Sequence, residues 1–113
     1  MIQFRRTAVF DKNYKRLERK YPSLKEDFGK LALSLIDNPN QGIVMADNFR
    51  KIRLSIKSKG KGKSGGARVI TINCLSSDND GIITLLSIYD KSDMDSITIK
   101  ELREIWENEK KSH

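Results

Sequence analysis

The sequence predicts one α+β domain, in which an N-terminal αα-hairpin and a C-terminal helix pack on a small antiparallel sheet. Between residues 10 and 36 apolar residues recur every three or four positions, the period of an α-helix. From residue 49 to residue 89 they alternate or form β-branched runs, as in strands. Helical spacing returns after residue 96. At 113 residues we treat 1–113 as a single domain with a modest core.

The first third of the chain predicts a short edge strand followed by two helices. The strand is expected at Gln3–Val9, and Asp11 is the expected cap of the first helix. The second helix begins at Ser23, which forms a capping box with Glu26. It ends before Pro39, because proline disfavours the helical conformation in the residue that precedes it. Two helices with so short a joint predict an αα-hairpin.

The rest of the chain predicts a three-stranded meander and a last helix. Residues 49–57, 67–75 and 82–89 are the expected strands; residues 42–48 form a connection with room for a short strand, and residues 59–66 form a loop. Thr98 and Glu101 form a second capping box, and Ile97 and Leu102 form a hydrophobic staple. This helix is expected to end near Glu109, with residues 110–113 disordered. The predicted order is β-α-α-β-β-β-α.

Positive charge is concentrated in one stretch. The chain has a formal charge of +7, and residues 50–68 contain eight cations and no carboxylate, which leaves the rest of the chain close to neutral. The eight are Arg50, Lys51, Arg53, Lys57, Lys59, Lys61, Lys63 and Arg68. A patch of one sign on a nearly neutral body is typical of a protein that binds a polyanion.

The residue inventory excludes several kinds of chemistry. One cysteine, Cys74, rules out an internal disulfide and a cysteine-rich zinc site. The one histidine, His113, is the last residue, so histidine-based triads and histidine-ligated metals lack their central residue. Catalysis therefore has to use Lys, Arg, Tyr, Asp or Glu, and we expect no metal or other cofactor. No apolar run approaches the length of a membrane span, and we expect a cytoplasmic protein without a membrane partner.

The glycine-rich segment imitates two nucleotide-binding motifs without fitting either. Gly60–Gly65 matches G-x-G-x-x-G, but a strand follows at Ala67–Ile72, so no helix N-terminus is present to receive a pyrophosphate. A phosphate-binding P-loop would need its first glycine at position 57, where this chain has Lys57. Two readings stay open: a solvated hairpin loop, or a loop whose lysines and backbone N–H groups meet phosphates.

A smaller set of side chains is expected to converge on one face of the sheet. Lys51 and Arg53 share one face of their strand, and Arg68 begins the next strand across the hairpin. Tyr89 and Lys91 lie where the last strand ends, at the rim of the same face. Like charges opposite each other destabilise a sheet, which favours an anionic partner. The alternative is that each cation extends into solvent or pairs with a carboxylate.

Three blocks carry a family resemblance. They are Lys51-Ile52-Arg53, the Lys/Gly block from Lys59 through Gly65-Gly66-Ala67-Arg68 to Ile70, and Leu86–Lys91 with the acidic turn into the last helix. Together they resemble the RelE/HigB toxins of bacterial type II toxin–antitoxin systems, and most closely the HigB-2-like branch. The resemblance implies a small α+β fold and a ribosome-dependent endoribonuclease, an mRNA interferase, that cuts messenger RNA in the ribosomal A site. It also implies silencing by a cognate acidic antitoxin protein.

The resemblance also assigns residues. Lys51, Arg53 and Arg68 match the family's catalytic strand cations, and Lys91 matches the basic residue after the last strand. Some RelE-type members have a catalytic Tyr where this chain has Ile97, so Tyr89 is the candidate in its place. The residues expected to hold RNA backbone are Arg50, Lys57, Lys59, Lys61 and Lys63.

Two other functions compete with the nuclease. A ParE-like relative that poisons DNA gyrase by binding needs no catalytic cations. A plain RNA- or ribosome-binding module needs only the charge. In every case the expected partner is an acidic antitoxin segment that folds on the cationic surface.

Overall fold

The computed structural model describes residues 1–60, 62–94 and 96–112. Its strands are β1 Ile2–Arg6, β2 Ile43–Val44, β3 Arg50–Leu54, β4 Ala67–Ser77 and β5 Asp80–Asp90. Its α-helices are α1 Ala8–Lys20, α2 Leu24–Asp37, α3 Gly62–Gly65 and α4 Ile99–Lys111. Short 3-10 turns lie at Ala46–Asn48 and Lys57–Lys59. The α+β class is as predicted.

The sheet is larger than predicted, and it is mixed. Its five strands lie in the order β1-β5-β4-β3-β2. The pairs β2–β3, β3–β4 and β4–β5 are antiparallel, but β1 runs parallel to β5, from Ile2 opposite Gly81 to Arg6 opposite Leu85. A parallel partner for β1 requires a long connection between the two strands, and the intervening chain with its helices provides it. The prediction of a small, purely antiparallel sheet is therefore wrong.

The order of helices also differs from the prediction. The strand expected to run to Lys57 ends at Leu54, and the 3-10 turn Lys57–Lys59 and the one-turn helix α3 follow it, so a helix stands between β3 and β4. Gly60 ends the 3-10 turn with a φ of 74°, a left-handed conformation that glycine adopts without steric cost. A single turn of this kind has no apolar period that a sequence pattern could reveal.

The first helix begins earlier than predicted. Thr7, not Asp11, is the cap: its Oγ1 accepts a hydrogen bond from the Phe10 N–H at 3.0 Å and donates to the Leu86 carbonyl at 2.7 Å. The strand before it therefore stops at Arg6, three residues short of the prediction. One threonine both starts α1 and ties it to β5.

The two predicted capping boxes have different outcomes. Ser23 makes no cap hydrogen bond; its hydroxyl donates instead to the Asp27 carboxylate at 2.6 Å. Thr98 accepts from the Glu101 N–H at 3.1 Å, as predicted. That last helix continues to Lys111, two residues beyond the predicted end.

Apolar residues form a separate cluster on each side of the sheet. The larger lies under α1 and α2 and includes Ile52, Leu54 and Val69. The smaller lies under α4 and includes Ile70 and Leu102. Within the described ranges, no helix is both long and apolar enough to cross a membrane. Side chains alternate between the two faces along each strand. A polar residue therefore lies on the face opposite to that of the apolar residues next to it in the strand.

Candidate nucleic-acid site

The strand register brings three of the predicted site residues into one row. Arg53 of β3 lies directly opposite Arg68 of β4, which lies directly opposite Tyr89 of β5. Side chains opposite each other in adjacent strands share a face, with Cβ atoms about 4.5–5.5 Å apart. The row therefore crosses three neighbouring strands on one side of the sheet.

Lys51 lies on the same face, two residues before Arg53 on β3. Its partner across the ladder is Ile70, which belongs to the apolar cluster under α4. Ile52, between the two cations, points to the opposite cluster. We call Lys51, Arg53, Arg68 and Tyr89 the sheet cluster.

The members of the sheet cluster differ in exposure. Arg53 is exposed and Lys51 is half-buried, whereas Arg68 is 7% exposed and Tyr89 is 4% exposed. One Arg68 guanidinium nitrogen donates to the Ala67 carbonyl at 3.1 Å. Within residues 1–60, 62–94 and 96–112, neither Lys51 nor Arg53 forms an ion pair. The outer part of the cluster is therefore open positive charge, and the inner part is packed.

Tyr89 is held as a protonated phenol. Burial raises the pKa of Tyr89 above its ordinary value, and the charge of Arg68 and the hydroxyl of Ser96 only partly oppose the rise. The Tyr89 hydroxyl makes no hydrogen bond of ordinary geometry to any described residue. A buried hydroxyl without a partner is costly, and it is available to donate a proton to a ligand.

Lys91 follows β5 directly and lies beside the start of β4. Its backbone N–H donates to the Gly66 carbonyl at 3.0 Å. Gly66 itself has no room for a side chain, since a Cβ there would lie 2.1 Å from the Leu54 carbonyl oxygen. This close approach sets how near the chain before β4 lies to the end of β3, two residues before Arg68.

Arg50 and Lys57, predicted to hold RNA backbone, lie outside the sheet cluster. Arg50 pairs with Thr71, on the other face, and its guanidinium donates to the Asn40 carbonyl at 2.8 Å. Lys57 is exposed in the turn after β3. With Arg53 it lines a groove of about 380 Å³ that runs between α2 and β3. Lys57 is thus placed to extend the positive surface beyond Arg53, and Arg50 is not.

Lys59, also predicted to hold RNA, is buried and pairs with residues of this protein instead. Its side chain is 7% exposed, and its ammonium lies 2.5 Å from the Asp90 carboxylate and 2.7 Å from the Ser92 hydroxyl. A lysine neutralised in this way adds no open charge to the surface. We therefore leave Lys59 out of the residues proposed to contact RNA.

Asp90 is the polar residue that sequence reasoning missed. Its side chain is fully buried, and it accepts from the Tyr21 hydroxyl at 2.6 Å and the Ser92 N–H at 2.9 Å in addition to Lys59. Burial alone raises the pKa of Asp90, but the hydrogen bonds from Lys59, Tyr21 and Ser92 outweigh it and hold that pKa far below its usual range. Asp90 joins α1, the turn after β3 and the end of β5. The sequence signal for Asp90 was a carboxylate between Tyr89 and Lys91, at the end of the last predicted strand.

Two predicted lysines cannot be placed. Lys61 lies outside the described residues, as does the side chain of Lys63. Among the residues that are described, no three His, Cys, Asp or Glu side chains are grouped to hold a metal ion. The arrangement offers cations, a phenol and a strand face, which suit a phosphate-bearing ligand.

Comparison with known proteins adds no assignment. No protein-family model and no curated protein matches this sequence. The RelE/HigB resemblance therefore stays a prediction from the sequence.

Proposed function

We propose that this protein is the toxin of a type II toxin–antitoxin system, a RelE/HigB-type endoribonuclease that cuts messenger RNA on the ribosome in the cytoplasm. The observation that carries the proposal is the sheet cluster. Arg53, Arg68 and Tyr89 share a row across three strands, and Lys51 stands beside them on the same face. Such a cluster suits the charge of a nucleotide phosphate.

The chemistry is transesterification within the RNA. The ribose 2′-oxygen attacks the adjacent phosphorus, the 5′-oxygen leaves, and the products carry a 2′,3′-cyclic phosphate and a 5′-hydroxyl. The enzyme has to remove the 2′ proton, stabilise the added negative charge and protonate the leaving oxygen. Without histidine, lysine, arginine and tyrosine divide these tasks.

Each cluster member has one proposed role. Lys51, the accessible amine two residues from Arg53 on the same face, accepts the 2′ proton. Arg68 clamps the phosphate oxygens through its planar guanidinium, and Arg53 assists from the exposed end of the row. Tyr89 donates a proton to the 5′-oxygen, because its raised pKa keeps the phenol protonated at neutral pH. Lys91, beside the start of β4, is the second candidate donor.

Burial constrains how RNA reaches these groups. Lys51 and Arg53 are accessible, so the phosphate approaches from the β3 side. Tyr89 packs in the cluster under α4 with Ile97 and Leu102. Contact between Tyr89 and the leaving oxygen therefore requires the α4 side of the cluster to open when substrate binds.

One observation favours a second candidate, a ribosome- or RNA-binding module without chemistry. Arg68 and Tyr89 are both nearly buried, so within the sheet cluster the open charge comes from Lys51 and Arg53. Binding through these two alone would be weak and would fall steeply with salt. It would leave messenger RNA intact.

The test compares two arginine variants in a translating extract. Arg53→Ala removes an exposed member of the row and does not threaten the fold, whereas Arg103→Ala removes an exposed arginine of α4, which pairs with Asp47. We expect Arg53→Ala to lower messenger cleavage at least about 10-fold and Arg103→Ala not to lower it. Arg68→Ala, checked by circular dichroism, should lower it further.

Three results would overturn the nuclease proposal. They are undiminished cleavage by both Arg53→Ala and Arg68→Ala, intact messenger with the unaltered protein, or inhibition of gyrase supercoiling without cleavage. Salt-sensitive ribosome binding without cleavage would select the binding module.

A further inference from the structure

A second group of open positive charges lies on α1. The exposed side chains of Lys12, Lys15, Arg16 and Arg19, which we call the α1 stripe, line a shallow depression of about 590 Å³. None of the four forms an ion pair with a described residue. The cation next along the chain, Lys20, does pair, with the buried Asp90. The stripe therefore has unneutralised charge.

The spacing of the α1 stripe works against the helix that carries it. Lys12 and Arg16, and Lys15 and Arg19, are four residues apart, so like charges are neighbours on the helix surface. Each such pair destabilises a helix by about 0.2–0.5 kcal/mol. The nearby Asp11 carboxylate forms an ion pair with the Arg6 guanidinium, 3.2 Å away. An arrangement with this cost is explained if an anion binds along the stripe.

The other face of α1 identifies the class of anion. Phe10 and Leu17 are fully buried in the core, and Tyr14 stacks on Phe10 with ring centroids 5.8 Å apart. On the outward face of the helix Val9 is exposed, and one such side chain buries little apolar surface in a lipid membrane. Lys12 to Arg19 spans about 10 Å along the helix, which matches a few successive phosphates of a nucleic acid. This combination favours an RNA backbone over a membrane.

The α1 stripe and the sheet cluster lie on opposite sides of the protein. α1 packs against the face of the sheet to which Ile52 and Leu54 point, and the sheet cluster lies on the face that α4 packs against. One RNA strand lodged in the sheet cluster does not reach the outer surface of α1 without passing around the sheet edge. Two separate RNA segments fit the geometry better.

We propose that the α1 stripe is a second RNA-binding surface, which docks the protein on ribosomal RNA while the sheet cluster faces the messenger. This inference rests on the proposed function for the identity of the two RNAs. The stripe supplies affinity and orientation without base recognition, because it offers only charge to phosphates. Its residues are binding residues and take no part in the chemistry.

The test uses two variants with the same loss of charge. The stripe variant carries Lys12→Gln, Lys15→Gln, Arg16→Gln and Arg19→Gln. The control variant carries Gln at four exposed lysines of α2 and α4, Lys25, Lys100, Lys110 and Lys111. Each is sedimented with purified ribosomes over a range of salt concentrations, and messenger cleavage is measured on the same samples. Circular dichroism confirms that both fold.

We expect the stripe variant to bind ribosomes at least about 10-fold more weakly than the control variant, with a salt slope smaller by about 3, since up to four phosphate contacts are lost. Cleavage should fall with binding and recover at high protein concentration. Equal ribosome binding by the two variants would overturn the proposal. It would also be overturned if the stripe variant lost binding to anionic lipid vesicles but kept its binding to ribosomes.

The outcomes separate this inference from the proposed function. If the unaltered protein binds ribosomes through the α1 stripe but never cleaves messenger, the nuclease proposal fails and the docking surface stands. If it cleaves messenger and the stripe variant cleaves equally well at every protein concentration, the nuclease proposal stands and the docking surface fails.

Discussion

Asp90→Asn should be among the most destabilising single changes in this protein. The substitution keeps the size of the side chain, but it removes the negative charge and leaves one acceptor oxygen where Tyr21 and the Ser92 N–H bond to two different oxygens. The Lys59 ammonium, 7% exposed and 2.5 Å from that carboxylate, then stays buried without its counter-charge. Breaking a buried pair from one side costs about 3–5 kcal/mol. For a chain of this size that lowers Tm by about 12–20 °C.

The matched control removes both charges together. Asp90→Asn with Lys59→Met leaves no buried charge without a partner, and a buried pair replaced by neutral residues is often close to neutral in stability. We therefore expect the double variant to be more stable than Asp90→Asn alone. Urea unfolding of the two single variants and the double variant gives the coupling free energy directly.

Acid should remove the same stabilisation. The pKa of Asp90 is lower in the folded protein than its ordinary unfolded value of about 3.9, so the unfolded chain takes up the proton first as the pH falls. Its contribution is complete above about pH 5 and is lost as the pH falls through the unfolded value toward the folded pKa. The free energy of unfolding of Asp90→Asn should depend less on pH in this acid range. A stability within about 0.5 kcal/mol of the unaltered protein, with no coupling to Lys59, would refute the reasoning.

Three further predictions concern single positions. Gly66→Ala should destabilise by about 1–3 kcal/mol, because its Cβ meets the Leu54 carbonyl, whereas Gly29→Ala, with open space in α2, should stabilise slightly; thermal melts compare them. Thr7→Ala should cost about 1–2 kcal/mol in urea unfolding, since both its hydrogen bonds are buried, and a loss under 0.3 kcal/mol would contradict this role. Tyr89→Phe should leave stability unchanged or slightly raised, because the buried hydroxyl has no partner among described residues, while single-turnover cleavage slows at least about 100-fold; equal cleavage would remove Tyr89 from the chemistry.

Local patterns predicted the parts of the fold that local chemistry decides. Alternation around Ile52 placed Lys51 and Arg53 on one face, and the hairpin that follows brings Arg68 opposite Arg53. The cap at Thr98 was recognised from its spacing to Glu101, whose N–H donates to the Thr98 hydroxyl. These signals lie within a few residues of the feature they specify, so a sequence shows them directly.

The features that were missed depend on residues far apart in the chain. The parallel pairing of β1 with β5 joins Ile2 to Gly81, and no local period encodes such a partner. Thr7 was overlooked as a cap because it lay inside an expected strand. In the sequence Lys59 looks no different from the other lysines of the Lys/Gly segment. Its charge is neutralised by Asp90, which lies 31 residues later in the chain. A charge count alone therefore overestimates the open cationic surface.

Mapping the ends of a messenger bound to purified ribosomes tests the role of the sheet cluster most directly. With the unaltered protein we predict a break at one position, leaving a 2′,3′-cyclic phosphate upstream and a 5′-hydroxyl downstream. Lys51→Met should still sediment with ribosomes and should produce those ends at least about 100-fold more slowly. Intact messenger with the unaltered protein in excess over ribosomes, or equal cleavage rates for the two proteins, would contradict the assignment of this cluster as a nuclease site.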